Sequence, residues 1–328
     1  MRQLGTAVRR LMAALFLGVT LFSLAGCNSE PERPVIIGTN IWIGYEPGYL
    51  AERRHLYGDA DVSLRQYQSA TQVLRAFRNK AIDVAALSLD EALVLRQSGI
   101  PIRIFLVTDT SDGADAILAK PGIASVRDLA GKRVGVENSA LGDYVLARAL
   151  QIHGLQESAI NEVSLTVDET EEFFTLGKVD AVVTFEPFKS KLIGLGAREI
   201  FNSRQLPGEI VDVLVVQDDF AKENPNALRA VAAGWLRGAE IINRRQPEAI
   251  GEIATRLGIA PVKVAEGLSG LQIPDAAENH MLLDSESGQV SQAAAKLIPM
   301  LEIRHGGHFT FAPAELFTTQ FLPDSSAR

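Results

Sequence analysis

Hydrophobic and polar positions alternate along this chain between two periods. Short apolar runs of strand length are each followed by a stretch with apolar residues at helical spacing. Residues 35–41 form the first such run. The segment Trp42-Ile43-Gly44-Tyr45-Glu46-Pro47-Gly48 then turns it into a helix predicted over 49–55. Residues 61–67 alternate as a strand, and Gln68-Ser69-Ala70-Thr71 opens a helix carrying Val73, Leu74 and Phe77. Residues 82–87 predict a buried strand, Ser88-Leu89-Asp90-Glu91 caps the next helix, and 100–107 is a further strand. Polar, acidic residues 108–113, ending in Gly113, predict a crossover into a second series of the same kind.

The second series holds strands at 114–119, 133–136, 161–167, 179–184 and 197–201, with helices between them. Its centre is the stretch 132–150, KRVGVENSALGDYVLARAL. A short apolar strand turns over Glu137-Asn138-Ser139 into an amphipathic helix. Ser139 or Asn138 suits the N-cap position, and Asp143 sits in the first turn, where acids are favoured. Free backbone N–H groups at such a start suit a small polar ligand. Residues 207–209 predict a crossover back. Beyond Gln217 the chain reads as helices, at 218–243, 247–258, 260–267 and 290–301, with a loosely patterned tail.

Strand–helix alternation of this kind implies two α/β lobes, each a mainly parallel sheet flanked by helices. Lobe 1 is expected to take residues 35–110 and 213–328, and lobe 2 residues 111–212. A ligand would bind between them, where strand ends face each other. Polar and aromatic residues recur at those ends: Trp42 and Tyr45, Ser69, Ser88 and Asp90, Asp109, Asn138 and Ser139, Phe185 and Glu186.

The N-terminus follows neither period. Arg2, Arg9 and Arg10 precede an apolar run, 11–25, which is too short for a stable membrane span. Leu24-Ala25-Gly26-Cys27 closes it in the manner of a bacterial lipobox. Cys27 is the only cysteine, so no disulfide can form within the chain. Residues 1–26 are expected to be a lipoprotein signal peptide, with lipid on Cys27 anchoring the chain to a membrane and 27–34 as a polar tether. Asn28 after the cysteine does not signal inner-membrane retention, so a didermic cell would place it at the outer membrane. Removing the signal's three arginines takes the formal charge from −8 to −11. So acidic a chain argues against nucleic acid as a partner.

The segments GYEPGYLA (44–51), VLRAFRNKAIDVAALSLDEAL (73–93), GADAILAKPGIASVRDLAGKRVGVENSALGDYVLARAL (113–150), VDAVVTFEPF (179–188) and PGEIVDVLVV (207–216) together resemble one family. These are the periplasmic substrate-binding proteins of ABC transporters in the nitrate, sulfonate and taurine group, related also to binding proteins for thiamine pyrimidine precursors. The resemblance implies a type II clamshell of two lobes that closes on a small polar ligand and docks as a monomer on permease and ATPase subunits. It implies an aromatic wall at Trp42 and Tyr45, hydroxyl and backbone donors at Ser69 and Ser88, and a helix N-terminus at Asn138, Ser139 and Ala140. It implies no catalytic residue, cofactor or metal. A sensor subunit presenting its bound form to a signalling receptor is the alternative role.

One feature departs from an anion receptor. Asp90, Glu91, Asp109, Asp112, Glu137 and Glu186 all lie at the expected rim. Buried beside a sulfonate they would be costly unless paired. Whether Glu137 points into the cleft decides the sign of the ligand. Other chemistry is thin. His305-Gly306-Gly307-His308 reads as a surface loop, and residues 168–172 as the acidic first turn of a helix. No phosphate-binding loop, nucleophile elbow or HExxH pair occurs.

Overall fold

A computed structural model describes residues 33–285 and 287–324, apart from the side chain of His305. The signal segment and Cys27 lie outside the described residues. In the first series, strands β1 (Val35–Thr39), β2 (Val62–Gln66), β3 (Val84–Ser88) and β4 (Ile102–Ser111) alternate with helices α1 (Glu46–Arg53), α2 (Ala70–Arg78) and α3 (Leu89–Gln97). The second holds β5 (Asp115–Ala119), β6 (Arg133–Glu137), α4 (Ala140–Ile152), β7 (Asn161–Leu165), α5 (Thr170–Thr175), β8 (Ala181–Phe185), α6 (Phe188–Gly194) and β9 (Arg198–Asn202). The chain then returns through β10 (Val211–Gln217) into α7 (Asp218–Glu223), α8 (Pro225–Asn243), α9 (Pro247–Leu257) and α10 (Pro261–Leu268). It ends with β11 (Leu271–Gln272), α11 (Ala276–Leu282) and α12 (Gln289–His305).

Two sheets result, one per lobe. The first has the order β11-β4-β10-β3-β1-β2 and the second β7-β6-β8-β5-β9. Both are mixed rather than mainly parallel. β1 pairs in parallel with β2 and β3, and β6 with β7 and β8, as the βα units require. β10 runs antiparallel to β3 and β4, and β5 antiparallel to β8 and β9. The reason is where the crossovers enter. β5 and β10 each start at the sheet edge where the parallel strands end, so they must run the other way.

The expected crossover at 108–113 is mostly strand. β4 continues to Ser111, and Thr108, Asp109, Thr110 and Ser111 are all buried. β10 on one side and β11 on the other take up the backbone of this polar stretch, which lets it lie inside. The tail also packs more firmly than its pattern suggests. Phe317 bridges to Ile104, and Phe321 meets the Phe105 ring edge-on with centroids 5.8 Å apart.

The site depends on how α1 is held, because α1 follows directly on the loop carrying Trp42 and Tyr45. Glu46, fully buried, is paired with Arg256 of α9, whose guanidinium also stacks 3.8 Å above the Tyr49 ring. Tyr49 in turn shares a 2.7 Å hydrogen bond with Thr39 at the end of β1. α1 lies directly on α8. A Cβ on Gly238 would sit 2.1 Å from the carbonyl oxygen of Pro47, closer than any side chain tolerates. Gly238→Ala is therefore expected to push the helices apart and to lower stability in urea denaturation by roughly 1–3 kcal/mol, the usual cost of overpacking. An unchanged midpoint would show that the α1–α8 contact is looser than this geometry.

Candidate ligand-binding cleft

Strand register builds the cleft. In the first sheet, Asp212 at the start of β10 lies opposite both Ser88 at the end of β3 and Asp109 near the end of β4. In the second, Asp115 at the start of β5 lies opposite Phe185 at the end of β8, and β6 ends beside them at Glu137. Two rows of strand ends thus face one another. Between them lie two adjoining chambers. One is lined by Trp42, Tyr45, Ser88, Glu91 and Asp212 from the first lobe and by Asp115, Glu137, Ser139 and Phe185 from the second. The other shares Asp115, Glu137, Ser139 and Phe185 and adds Val183 and Thr184.

Each chamber measures only about 20 Å³, room for about one water. The lobes are close enough to touch at the rim, where Thr71 donates to the backbone carbonyl of Asn138 at 3.2 Å. At the centre the Trp42 and Phe185 rings meet edge-on across the cleft, 5.7 Å between centroids. A third bridge is Arg304 of α12, which contacts Asp143, Glu157 and Glu162 at 2.9, 3.1 and 3.1 Å.

Trp42 is fixed by its indole N–H, which donates to both oxygens of Asp109 at 3.3 and 3.2 Å. Thr108 donates to the same carboxylate at 3.0 Å. Gly44 makes this possible, since a Cβ there would lie 2.1 Å from an Asp109 oxygen and 2.3 Å from the indole nitrogen. Tyr45 donates to Asp212 at 2.5 Å. Glu91 accepts from the backbone N–H of Ser88 at 3.2 Å. Ser139 caps α4 by accepting from Gly142 N–H at 3.1 Å.

The residues named from sequence separate into three groups. Trp42, Tyr45, Ser88, Ser139 and Phe185 line the chambers, together with Glu91 and Glu137 of the expected rim carboxylates. Asp109 stands behind Trp42 and orients it. The other five do other work. Ser69 is half-buried and caps α2 through Gln72 N–H, leaving its neighbour Ala70 to face the chamber. Asp90 is buried in the first turn of α3. Asn138 is exposed on the rim, and Ala140 faces a groove beside α12. Glu186 turns back onto α6, accepting from the Ser190 backbone at 3.2 Å and its hydroxyl at 3.0 Å. Not anticipated were Asn40, Ala70, Asp115, Leu141 and Asp212. Asp115 and Asp212 carried a signal, a single carboxylate inside an otherwise apolar strand.

The cleft is strongly acidic. Asp109, Asp115, Glu137, Glu91 and Asp212 are all buried, and among the described residues no lysine or arginine lines either chamber. Lys189, nearby, is engaged with Gly113 O at 2.6 Å and with Glu199 at 2.5 Å. Burial pushes the carboxyls up: Asp109 and Asp115 to about 7, and Glu137 to about 7, with the charge of Asp168 adding to it. Asp212 and Glu91 are raised further, chiefly by burial and then by neighbouring acids.

Residues 28–258 match the NMT1-like family. The chain belongs to that family. Among relatives of this NMT1-like chain is the taurine-binding periplasmic protein of Escherichia coli (strain K12), 25% identical over 236 residues, which cover 67% of this chain and 73% of the relative. Two solved structures share the fold. One is the alkanesulfonate-binding protein SsuA from Xanthomonas axonopodis pv. citri bound to MOPS, with TM-score 0.70, 18% identity, and coverage of 88% of this chain and 98% of that one. The other is the ligand-binding component of an ABC-type import system from Staphylococcus aureus with zinc bound, with TM-score 0.74, 10% identity and the same coverage. The NMT1-like chain thus has the two-lobe periplasmic-binding-protein fold. Among its described residues no group of three or more His, Cys, Asp or Glu side chains could hold a metal ion.

Carboxyls with raised folded pKa values bind protons that the unfolded chain has already lost. Stability should therefore be full near pH 4 and fall as pH rises to about 7 and beyond. In thermal unfolding without ligand, the melting temperature is expected to be higher at pH 5 than at pH 8. Glu137→Gln should remove up to about 3 kcal/mol of that difference. A flat profile, or a slope unaltered by Glu137→Gln, would mean that the cleft carboxyls are solvated.

Proposed function

We propose that this chain is an extracytoplasmic solute-binding protein, which captures a small polar ligand between two lobes and delivers it to the permease and ATPase of an ABC importer. The observation that carries this reading is the facing pair of strand-end rows, joined by the Trp42–Phe185 contact and enclosing buried polar atoms without partners. A cavity that exists only when two halves meet couples occupancy to closure, which is how a transporter can tell loaded receptor from empty. The relatives named for binding taurine or alkanesulfonate, and for belonging to an ABC-type import system, support the same role.

The reading extends to the details of the chain. Ligand contacts fall to Trp42, Tyr45, Ser88 and Ser139, joined by Asp115, Glu137, Phe185 and Asp212. Lobe 1 comprises 35–111 with 211–328 and lobe 2 comprises 112–210, each expected boundary moving by one or two residues so that β4 and β10 stay whole in the first sheet. The protein works as a monomer in the periplasm or on the outer face of the cell, tethered by 27–34 to a lipid on Cys27. Binding rather than catalysis fits the cavity chemistry. Among the described residues no histidine lines either chamber beside Ser88 or Ser139.

A ligand at ~100 times its dissociation constant stabilises the closed form by ~2.7 kcal/mol, a rise of several degrees in melting temperature. The expected result of thermal-shift measurements across sulfonates, nitrate, amines and aminopyrimidines is that at least one class gives such a rise. Leu141→Trp, which more than fills the shared chamber, should abolish the rise, with native circular dichroism showing that the variant still folds. No response to any class, or an undiminished response in Leu141→Trp, would rule out the cleft as a solute site.

A further inference from the structure

Of the carboxylates at the cleft, several have donors of their own. Asp109 holds Trp42 and Thr108, Asp212 holds Tyr45, Glu91 holds the Ser88 amide, and Glu186 holds Ser190. Three carboxyls each have an oxygen with no hydrogen-bond partner: Asp90, which lines neither chamber, Asp115, 2% exposed, at Oδ2, and Glu137, 8% exposed, at Oε1. The last two face the cavity. Both line both chambers. They come from different strands, β5 and β6, which flank β8 on either side, so Phe185 and Thr184 lie between them. The Thr184 hydroxyl in the same chamber is also without a partner.

A carboxylate oxygen withdrawn from water and given no donor is among the costliest groups a protein can bury. Strand pairing fixes the backbone at both positions, Asp115 at the start of β5 and Glu137 at the end of β6. A sulfonate or nitrate could take the free hydroxyls of Ser88 and Thr184, but it would bring its own acceptors and charge against Asp115 and Glu137. A protonated nitrogen brings donors and charge together, and the Trp42 and Phe185 rings line the same chamber.

We propose that the cleft takes a small organic cation rich in N–H donors, a primary amine or a guanidine, with its charged nitrogen seated between Asp115 Oδ2 and Glu137 Oε1. This rests on the cleft being the solute site and deepens that reading by setting the ligand's sign. It also separates this chain from a receptor for a plain alkanesulfonate, whose ligand carries a negative charge and no ammonium group.

The test is isothermal titration calorimetry at pH 8 on the chain from residue 28, using small primary amines and alkylguanidines (ethylamine and methylguanidine first) against ethanesulfonate. The expected result is binding of at least one cation and none of ethanesulfonate. Asp115→Asn and Glu137→Gln should each weaken cation binding at least tenfold. Both replacements remove a buried charge without changing shape, so both variants should fold, as circular dichroism will report. Ethanesulfonate binding that Leu141→Trp abolishes would overturn the cation proposal while leaving the cleft as the solute site. Silence from every cation, or cation binding indifferent to both substitutions, would also overturn it. Binding of any probe that survives Leu141→Trp would place the solute site elsewhere and remove both readings.

Discussion

The two unpartnered carboxylate oxygens of Asp115 and Glu137 are the constraint around which the cleft makes sense. Leaving a buried polar group unsatisfied costs on the order of 1–3 kcal/mol, and more when it is charged. A chain that keeps two such groups at one cavity holds stability in reserve, to be recovered when something supplies the missing donors. Their positions follow from topology. β5 starts, and β6 and β8 end, at the same sheet edge, so Asp115, Phe185 and Glu137 stand in a row facing the first lobe. The opposing row, Ser88, Asp212 and Asp109, is set by β10 returning antiparallel between β3 and β4.

The two rows are treated differently, and the difference divides the labour of the site. On the first lobe, Asp109 and Asp212 are spent on holding Trp42 and Tyr45, so that face presents rigid aromatic surface backed by carboxylates already bonded. On the second, the carboxylates point into the chamber. Outside the cleft the ion pairing is conventional. Arg256 neutralises Glu46 beneath the aromatic loop, and Arg304 gathers Asp143, Glu157 and Glu162 across the lobes. Basic residues are therefore spent on the scaffold and kept out of the cavity.

Much of this was legible in the sequence because it is local. Alternating periods of two and 3.6 gave the order of strands and helices, and Ser69 and Ser139 were readable as helix starts. What each cap then does was not. The Ser69 hydroxyl is consumed by Gln72 while its neighbour Ala70 faces the chamber; Ser139 both caps α4 and lines the cavity. That distinction depends on how each helix is rotated against the opposite lobe. Strand direction was likewise hidden, since an apolar run such as 210–216 reads the same whether it pairs parallel or antiparallel. Asp115 and Asp212 are inconspicuous in the sequence because the run around each is apolar enough to count as strand. The lone acid inside it was the signal, with meaning only once register brought the ends together. Glu137 was flagged from sequence as the residue whose direction decides the ligand's sign, and it points inward.

The most direct test of this account is native mass spectrometry of the protein isolated from its own cells without denaturation, followed by release and identification of whatever compound it retains. The account predicts a small molecule with a basic nitrogen, released on acidification as Asp115 and Glu137 protonate. A retained sulfonate or other anion lacking a basic nitrogen would contradict it.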